Sequence, residues 1–547
     1  MERDTGQAQG LSELYEVEKN TLPVPGSDAP LLGRDDGEDG EDCDDDEDCD
    51  DSDDGEDCDD GNCDDGEDCD DSEDGEDCDD GEDGEDRDDG GDCEDGEDCD
   101  DGEDCDDGGD CDDGEDGEDC DDGEVGEDCD DGEDFDDISF CQPELINQHG
   151  YPVESHAVVT EDGYQLTLHR IPYSSKLHRH HSPSQNSPFN SNELGMGSKP
   201  PEDMKAKPRG DGRDYVFETS GKPAVFLQHG VLASSLDWVL TGPHKALGYK
   251  LSDAGYDVWM GNLRGTIYSA RHKNFNNTQP EFWNYSWHEI GMYDLPAMVD
   301  YVLRVTGDPD LHFVGHSMGA TTAVVMLSER PEYNSKLKIT LLLAPVVKLE
   351  HNTSIFRHSA SLWKALQRVT SYSGLHGFPP HPELIQRRLE PMCEEQYIGR
   401  GLCANILHVV AGYSKELNHT LLPVLFGHYP TQTSTRTLSH FLQGMNTGKF
   451  SKYDYGPEYN MVHYNQSEPS DYIVNRISSP VAIFCGDSDP FTDPQDVSWL
   501  ADQFRNLIGN FLVPSASFSH LSFLWATNVD RILYDPMISL LDRYKQQ

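Results

Sequence analysis

From residue 154 onward the chain changes repeatedly between two hydrophobic rhythms. Residues 154–160 and 164–170 alternate apolar and polar positions, with Glu161, Asp162 and Gly163 between them, which predicts a β-hairpin. Residues 223–228 and 256–260 are short, nearly continuous apolar runs that suit strands buried on both faces, and 245–254 between them has helical spacing. A second helical stretch at 293–305 leads to a strand at 311–314, a helix at 320–330 and an apolar strand at 338–347. Further on, 481–485 and 511–513 read as strands and 529–544 as a closing helix. Strands alternating with helices in this way predict an α/β fold with a mostly parallel, doubly wound sheet and helices on both faces.

Two stretches break the rhythm. Residues 348–477 do not alternate; they carry short amphipathic helical stretches, such as 361–369 and 404–410, and many aromatics. Lying between two strands of the sheet, this block is expected to form a helical cap over the active site, the alternative being a packing domain with no gating role. Residues 174–214 are rich in Ser, Pro, Asn and Lys and read as a long surface insertion, with His178, His180 and His181 as solvated loop residues rather than metal ligands. The domains expected are therefore 1–138, then 139–347 and 478–547 as two parts of one core, with 348–477 between them.

Composition separates the N-terminal quarter from the rest. Residues 1–138 hold 72 Asp+Glu against 4 Lys+Arg, and the remainder 39 against 34, out of a net charge of −73. Within 34–138 a Asp-Gly-Glu-Asp-Cys-Asp-Asp repeat recurs with slippage and holds twelve of the 16 cysteines, from Cys43 to Cys129. So acidic and apolar-poor a segment cannot offset its ordering entropy and is expected to be disordered. Its spacing fits neither an EF-hand loop nor a C-x-x-C zinc pair. Weak cation binding, a crosslinkable tether and a tract without a specific role remain three readings of it. The balanced remainder gives no reason to expect nucleic acid as a partner, and no run of about 18 apolar residues marks a transmembrane segment.

The chemistry centres on Gly315-His316-Ser317-Met318-Gly319. A G-x-S-x-G pattern between a strand and a helix is a nucleophile elbow: the serine sits at strained φ/ψ, and the glycines keep side chains out of the neighbouring strand and helix. A serine needs a base, and the base needs an acid, in the order Ser, acid, His for an α/β-hydrolase. The loop after 481–485 offers Asp487, Asp489 and Asp493, of which Asp489 is preferred, and His520 is the only histidine after His463. His229-Gly230 at the end of an early strand makes Val231 the first candidate oxyanion donor, through its N–H, and Met318 the second. Arg264 is expected to brace a turn rather than to do chemistry. Cys485 reads as a buried strand thiol. Cys393 and Cys403 lie within reach of a local disulfide.

With these residues in place the chain from about 143 to 547 resembles the acid lipases, the family of gastric, lingual and lysosomal acid lipases and many arthropod lipases. The shared text includes QHGYPVE from Gln148, EDGYQL from Glu161, LQHGVLASS from Leu227, AGYDVW from Ala254 and FWNYSWHEIGMYDLPA from Phe282. It continues with GHSMG from Gly315, DPFTDPQDV from Asp489 and HLSFLWA from His520. The resemblance implies an α/β-hydrolase fold, a triad of Ser317, Asp489 and His520, and a cap disulfide between Cys393 and Cys403. It implies serine-dependent hydrolysis of neutral-lipid esters at lipid–water interfaces, without metal or organic cofactor. The substrate is expected to be triacylglycerol, the alternative being a steryl ester. The rival of another class is a non-enzymatic acidic cation-binding protein with a relic hydrolase domain. A secreted or lysosomal location is implied, and the sequons at Asn276, Asn284, Asn352, Asn418 and Asn465 are candidate glycosylation sites, yet residues 1–25 lack the apolar core of a signal peptide. The acidic repeat and the length of the insertion at 174–214 depart from the family.

Overall fold

The computed structural model describes residues 15–16, 142–174, 206–208, 215–217, 221–359, 374–394 and 399–545. The acidic repeat, the histidines at 178–181 and the helical stretch expected at 361–369 lie outside the described residues.

The alternating segments form the expected hairpin. Strands β1 (Glu154–Val159) and β2 (Tyr164–Ile171) pair antiparallel, and the turn closes where the N–H of Thr160 donates to the Tyr164 carbonyl at 2.8 Å. Residues of β1 are buried and exposed in turn, as at a sheet margin with one face in water. The continuous apolar runs become β3 (Ala224–Gln228) and, after helix α1 (Leu247–Asp253), β4 (Asp257–Gly261), both buried throughout. Helix α2 (Leu295–Thr306) leads to β5 (Leu311–His316), α3 (Met318–Glu329) and β6 (Leu337–Leu343).

A helical block separates β6 from the last strands. It holds α4 (Pro382–Met392), α5 (Gly399–Ala411), α6 (Leu422–His428), α7 (Thr435–Thr447) and α8 (Pro457–Tyr464). Then come β7 (Val481–Cys485), α9 (Pro494–Gln503), β8 (Leu507–Leu512) and α10 (Asp535–Lys545).

The sheet runs β1-β2-β4-β3-β5-β6-β7-β8, and two-residue strands at Arg271–His272 and Tyr15–Glu16 bring it to ten. From β4 to β8 every neighbouring pair is parallel. Period-two alternation feeds two cores. Val225 and Leu227 join Tyr249, Leu251 and Leu540 on one face, while Ala224 and Phe226 join Val299 and Phe313 on the other. The register sets Gln228 beside Gly315, His316 beside Leu343, Leu343 beside Phe484 and Cys485 beside Leu512. The carboxyl ends of β3, β5, β7 and β8 therefore open onto one edge, where open α/β sheets place their sites.

Three boundaries differ from the sequence reading. Strand β6 stops at Leu343 rather than at 347, because Ala344 turns to φ 46° before Pro345. The last strand starts at Leu507, earlier than 511, since Gly509 and Asn510 within it have little strand preference of their own. Ahead of α2 the chain makes a wider turn at Ile290–Asp294. Pro296 has no N–H for the Met292 carbonyl, and the Arg330 guanidinium donates to that carbonyl instead at 3.0 Å. The insertion read as loop at 174–214 includes Ala206–Pro208, which pairs with Tyr215–Phe217 as a short ribbon.

Arg264 braces the turn after β4. Its Nε donates to Asp294 at 2.7 Å, its two Nη atoms donate to Asp162 at 2.7 and 2.9 Å, and its ring-facing carbon lies 3.8 Å from the Tyr164 centroid. The Tyr285 hydroxyl donates to its carbonyl at 3.0 Å. This ties the β1–β2 turn, the β4 exit and the start of α2 into one corner near the end of β3.

Candidate active site

The position of Ser317, the candidate nucleophile, is built by backbone strain. Ser317 has φ 55° and ψ −118°, and its N–H donates to the Leu343 carbonyl at 3.0 Å. Only close packing holds a non-glycine residue there. A Cβ on Gly319 would come within 2.4 Å of the Gln228 carbonyl, and one on Gly315 within 2.7 Å of the Gly319 backbone, so both positions require glycine. The elbow thus lets α3 start directly against the end of β3.

Three loops deliver one relay. The Ser317 hydroxyl donates to His520 Nε2 at 2.8 Å, and His520 Nδ1–H donates to Asp489 Oδ2 at 2.7 Å. The other Asp489 oxygen accepts the Phe491 N–H at 2.9 Å, which fixes the carboxylate plane. Ser317, His520 and Asp489 are all at least nine-tenths buried. The competing aspartates are engaged elsewhere. Asp487 accepts the N–H groups of Ser517 and Phe518 at 3.0 and 2.7 Å, and Asp493 caps α9 by accepting from the Gln495 N–H at 2.8 Å. Replacing Asp489 with Asn is expected to lower kcat on a soluble ester by about 10³- to 10⁴-fold, because the imidazole tautomer is no longer held. The same exchange at Asp493 is expected to stay within about tenfold. Initial rates of the two variants side by side check this, and equal losses would break the assignment.

Two histidines that sequence reasoning passed over hold the frame. His316 Nε2–H donates to the His520 carbonyl at 3.0 Å, so the elbow grips the backbone of the base directly. Burial, and then the neighbouring His520, push its pKa down to about 3, so it stays neutral and keeps that tautomer. His229 accepts the Leu263 N–H on Nε2 at 3.1 Å, and burial lowers its pKa to about 4. The position of His316 inside the motif was the available signal; its partner was not.

On the candidate oxyanion side, a Cβ on Gly230 would lie 3.0 Å from Ser317 Cβ, so the His229-Gly230 turn packs against Ser317. Val231 follows it, half-buried. Met318 opens α3, where the first N–H groups have no intrahelical acceptor. Among the described residues neither N–H makes a hydrogen bond.

The helical block also reaches this edge. The His520 N–H donates to the Ala411 carbonyl at 3.1 Å, and a Cβ on Gly412 would lie 2.3 Å from the Ser488 carbonyl, beside the acid loop. Helix α5, which ends at Ala411, is joined to the residue after α4 by the Cys393–Cys403 bond, with an S–S distance of 2.00 Å. Cys485 is buried and unbonded, and burial pushes its thiol up to about 12, which leaves it inert as a nucleophile. Of the sequons, Asn276, Asn284 and Asn465 are exposed, and Asn418 caps a short turn by accepting from Thr420. Asn352 corrects the list. It is buried, and its amide donates to the Leu349 carbonyl at 2.6 Å, so no glycan fits there without opening the fold.

A strained serine, a histidine and an oriented carboxylate brought together at the carboxyl edge of this sheet are the arrangement of the α/β-hydrolase class. A family model described as a partial alpha/beta-hydrolase lipase region matches residues 142–242, and one described as alpha/beta hydrolase fold matches 223–363. Lipase 3 of Drosophila melanogaster is 38% identical over 404 residues, covering 74% of this chain and 93% of that protein. Gastric triacylglycerol lipases of Bos taurus and Homo sapiens are 34% and 33% identical over 405 residues, covering 74% of this chain and 91% of each relative. The chain belongs to this lipase family and is a carboxylic ester hydrolase. Among the described residues no helix is long and apolar enough to cross a membrane.

Proposed function

We propose that the chain hydrolyses triacylglycerols through an acyl-enzyme on Ser317. The observation that carries this reading is the unbroken relay from Asp489 through His520 to Ser317. His520 Nε2 takes the hydroxyl proton as Oγ bonds to the ester carbonyl carbon. The carbonyl oxygen becomes an oxyanion facing the Val231 and Met318 N–H groups. His520 then gives its proton to the departing glyceride oxygen as the ester C–O bond breaks. Water repeats the sequence on the acyl-enzyme and the fatty acid leaves. Asp489 accepts from His520 Nδ1–H and orients the ring.

Supporting a lipid substrate, the relatives named above include gastric triacylglycerol lipases. The helical block between β6 and β7 acts in this reading as a cap, and Leu402, Val409, Val410 and Tyr413 on or just after α5 are exposed, an apolar face toward a lipid–water interface. The test is fatty-acid release from emulsified trioleoylglycerol and from cholesteryl oleate, with fluorophosphonate labelling mapped by mass spectrometry. Release from trioleoylglycerol with the label on Ser317 is expected. Release from cholesteryl oleate alone would move the substrate to steryl esters. No release and no label would leave a relic hydrolase domain.

A further inference from the structure

The turn that carries Val231 is strained. Leu232 has φ 58°, a conformation a leucine keeps only when its surroundings dictate it. The two ends of the turn are tied to the core. On one side His229 accepts from Leu263; on the other the Ser235 N–H donates to Asn262 Oδ1 at 2.9 Å. Between those anchors stand the carbonyls of Leu232 and Ala233. Among the described residues both are held by one side-chain-bearing residue of the helical block, Thr431. Its N–H donates to the Leu232 carbonyl at 2.9 Å, and its hydroxyl donates to the Ala233 carbonyl at 2.8 Å. Thr431 is buried, 2% exposed. Next to it the Tyr429 hydroxyl donates to Asp237, a few residues beyond the turn.

We infer that Thr431 is a positioning residue of the oxyanion hole, steadying the Val231 N–H by fixing the 232–233 and 233–234 peptide groups just beyond it. Fixing the Leu232 carbonyl fixes the rigid plane it shares with the Ala233 N–H, and the constraint passes back through Leu232, held at φ 58°, and Val231 to the 230–231 plane that carries the Val231 N–H. Thr431 does not act on the substrate; it acts through the turn. The consequence is that the oxyanion hole is complete only when the block between β6 and β7 is docked, although both proposed donors belong to the core. This inference rests on the proposed role of Ser317 and Val231.

The test uses the full chain with Thr431→Val, which keeps the shape and removes the hydroxyl, and Thr431→Ser, which restores it. Thr431→Ala serves as the second hydroxyl deletion should the valine variant fail to fold. On a soluble short-chain p-nitrophenyl ester, the hydroxyl deletions are expected to lower kcat by roughly 10- to 100-fold, with KM changed by less than about twofold. The rate of phosphonylation should fall in parallel, and Thr431→Ser should recover kcat to within about threefold of the parent. A kcat unchanged by hydroxyl deletion, or an equal loss in the valine and serine variants, would overturn the inference, since packing alone would then account for the residue. Failure of the parent chain to react with the phosphonate would instead overturn the serine chemistry, and this inference with it.

Discussion

Ser317→Ala is expected to lower kcat on a soluble ester by on the order of 10⁴- to 10⁶-fold, to the residual rate an oxyanion hole supplies without a nucleophile. Chain folding should be unaffected. Among the described residues the serine hydroxyl makes one hydrogen bond, to His520, and its backbone strain at φ 55° is the same for alanine. Removing the hydroxyl leaves the His520 ring still held by Asp489 and its backbone still held by His316 and Ala411. Thermal unfolding followed by circular dichroism, beside initial rates, separates the two effects. A variant that retains more than about a hundredth of the parent rate would exclude Ser317 as the nucleophile.

Arg264→Met is expected to lower stability by roughly 3–5 kcal/mol near neutral pH. Arg264 and Asp294 are almost completely buried, and methionine of similar length leaves the carboxylate without a counter-charge. The Asp162 partner is partly in water and loses less. Burial already pushes the Asp294 carboxyl up to about 6, against the pull of Arg264. Without that pull its folded-state pKa rises further above the ordinary value of 3.8. The folded variant then binds a proton more readily than the unfolded chain does. Its deficit is therefore largest at neutral pH and above, and shrinks as pH falls through the parent's folded value of about 6. Denaturant titrations at pH 5 and pH 7.5 check the sign. A deficit that grows on acidification would show that the corner does not depend on this ion pair.

The hairpin at β1 and β2, the buried strands β3 and β4 and the elbow were legible because each is written within a few neighbouring positions. Alternation marks a half-wet strand, continuous apolar runs mark a strand covered on both sides, and G-x-S-x-G marks a turn that only small flanking residues survive. Boundaries were less legible where one residue overrides a pattern, as Ala344 does at the end of β6 and Pro296 does inside the helix before β5. Asn352 shows the same limit at a modification motif: Asn-x-Ser is a local word, and burial at that position is decided by packing against Leu349 and Ser354.

The succession of strands and helices along the chain, the elbow serine and the candidates for base and acid were therefore legible in the sequence itself, since strand rhythm and turn chemistry are local properties of the chain. The hydrogen bond of Asp489 to His520, the engagement of Asp487 and Asp493 elsewhere, the grip of His316 on the His520 backbone, and the hold of Ala411 and Thr431 on the two sides of the site were decided only by the tertiary structure. Each of those is a hydrogen bond between groups far apart along the chain. Its existence depends on the path the backbone takes between them, and no local pattern encodes that path.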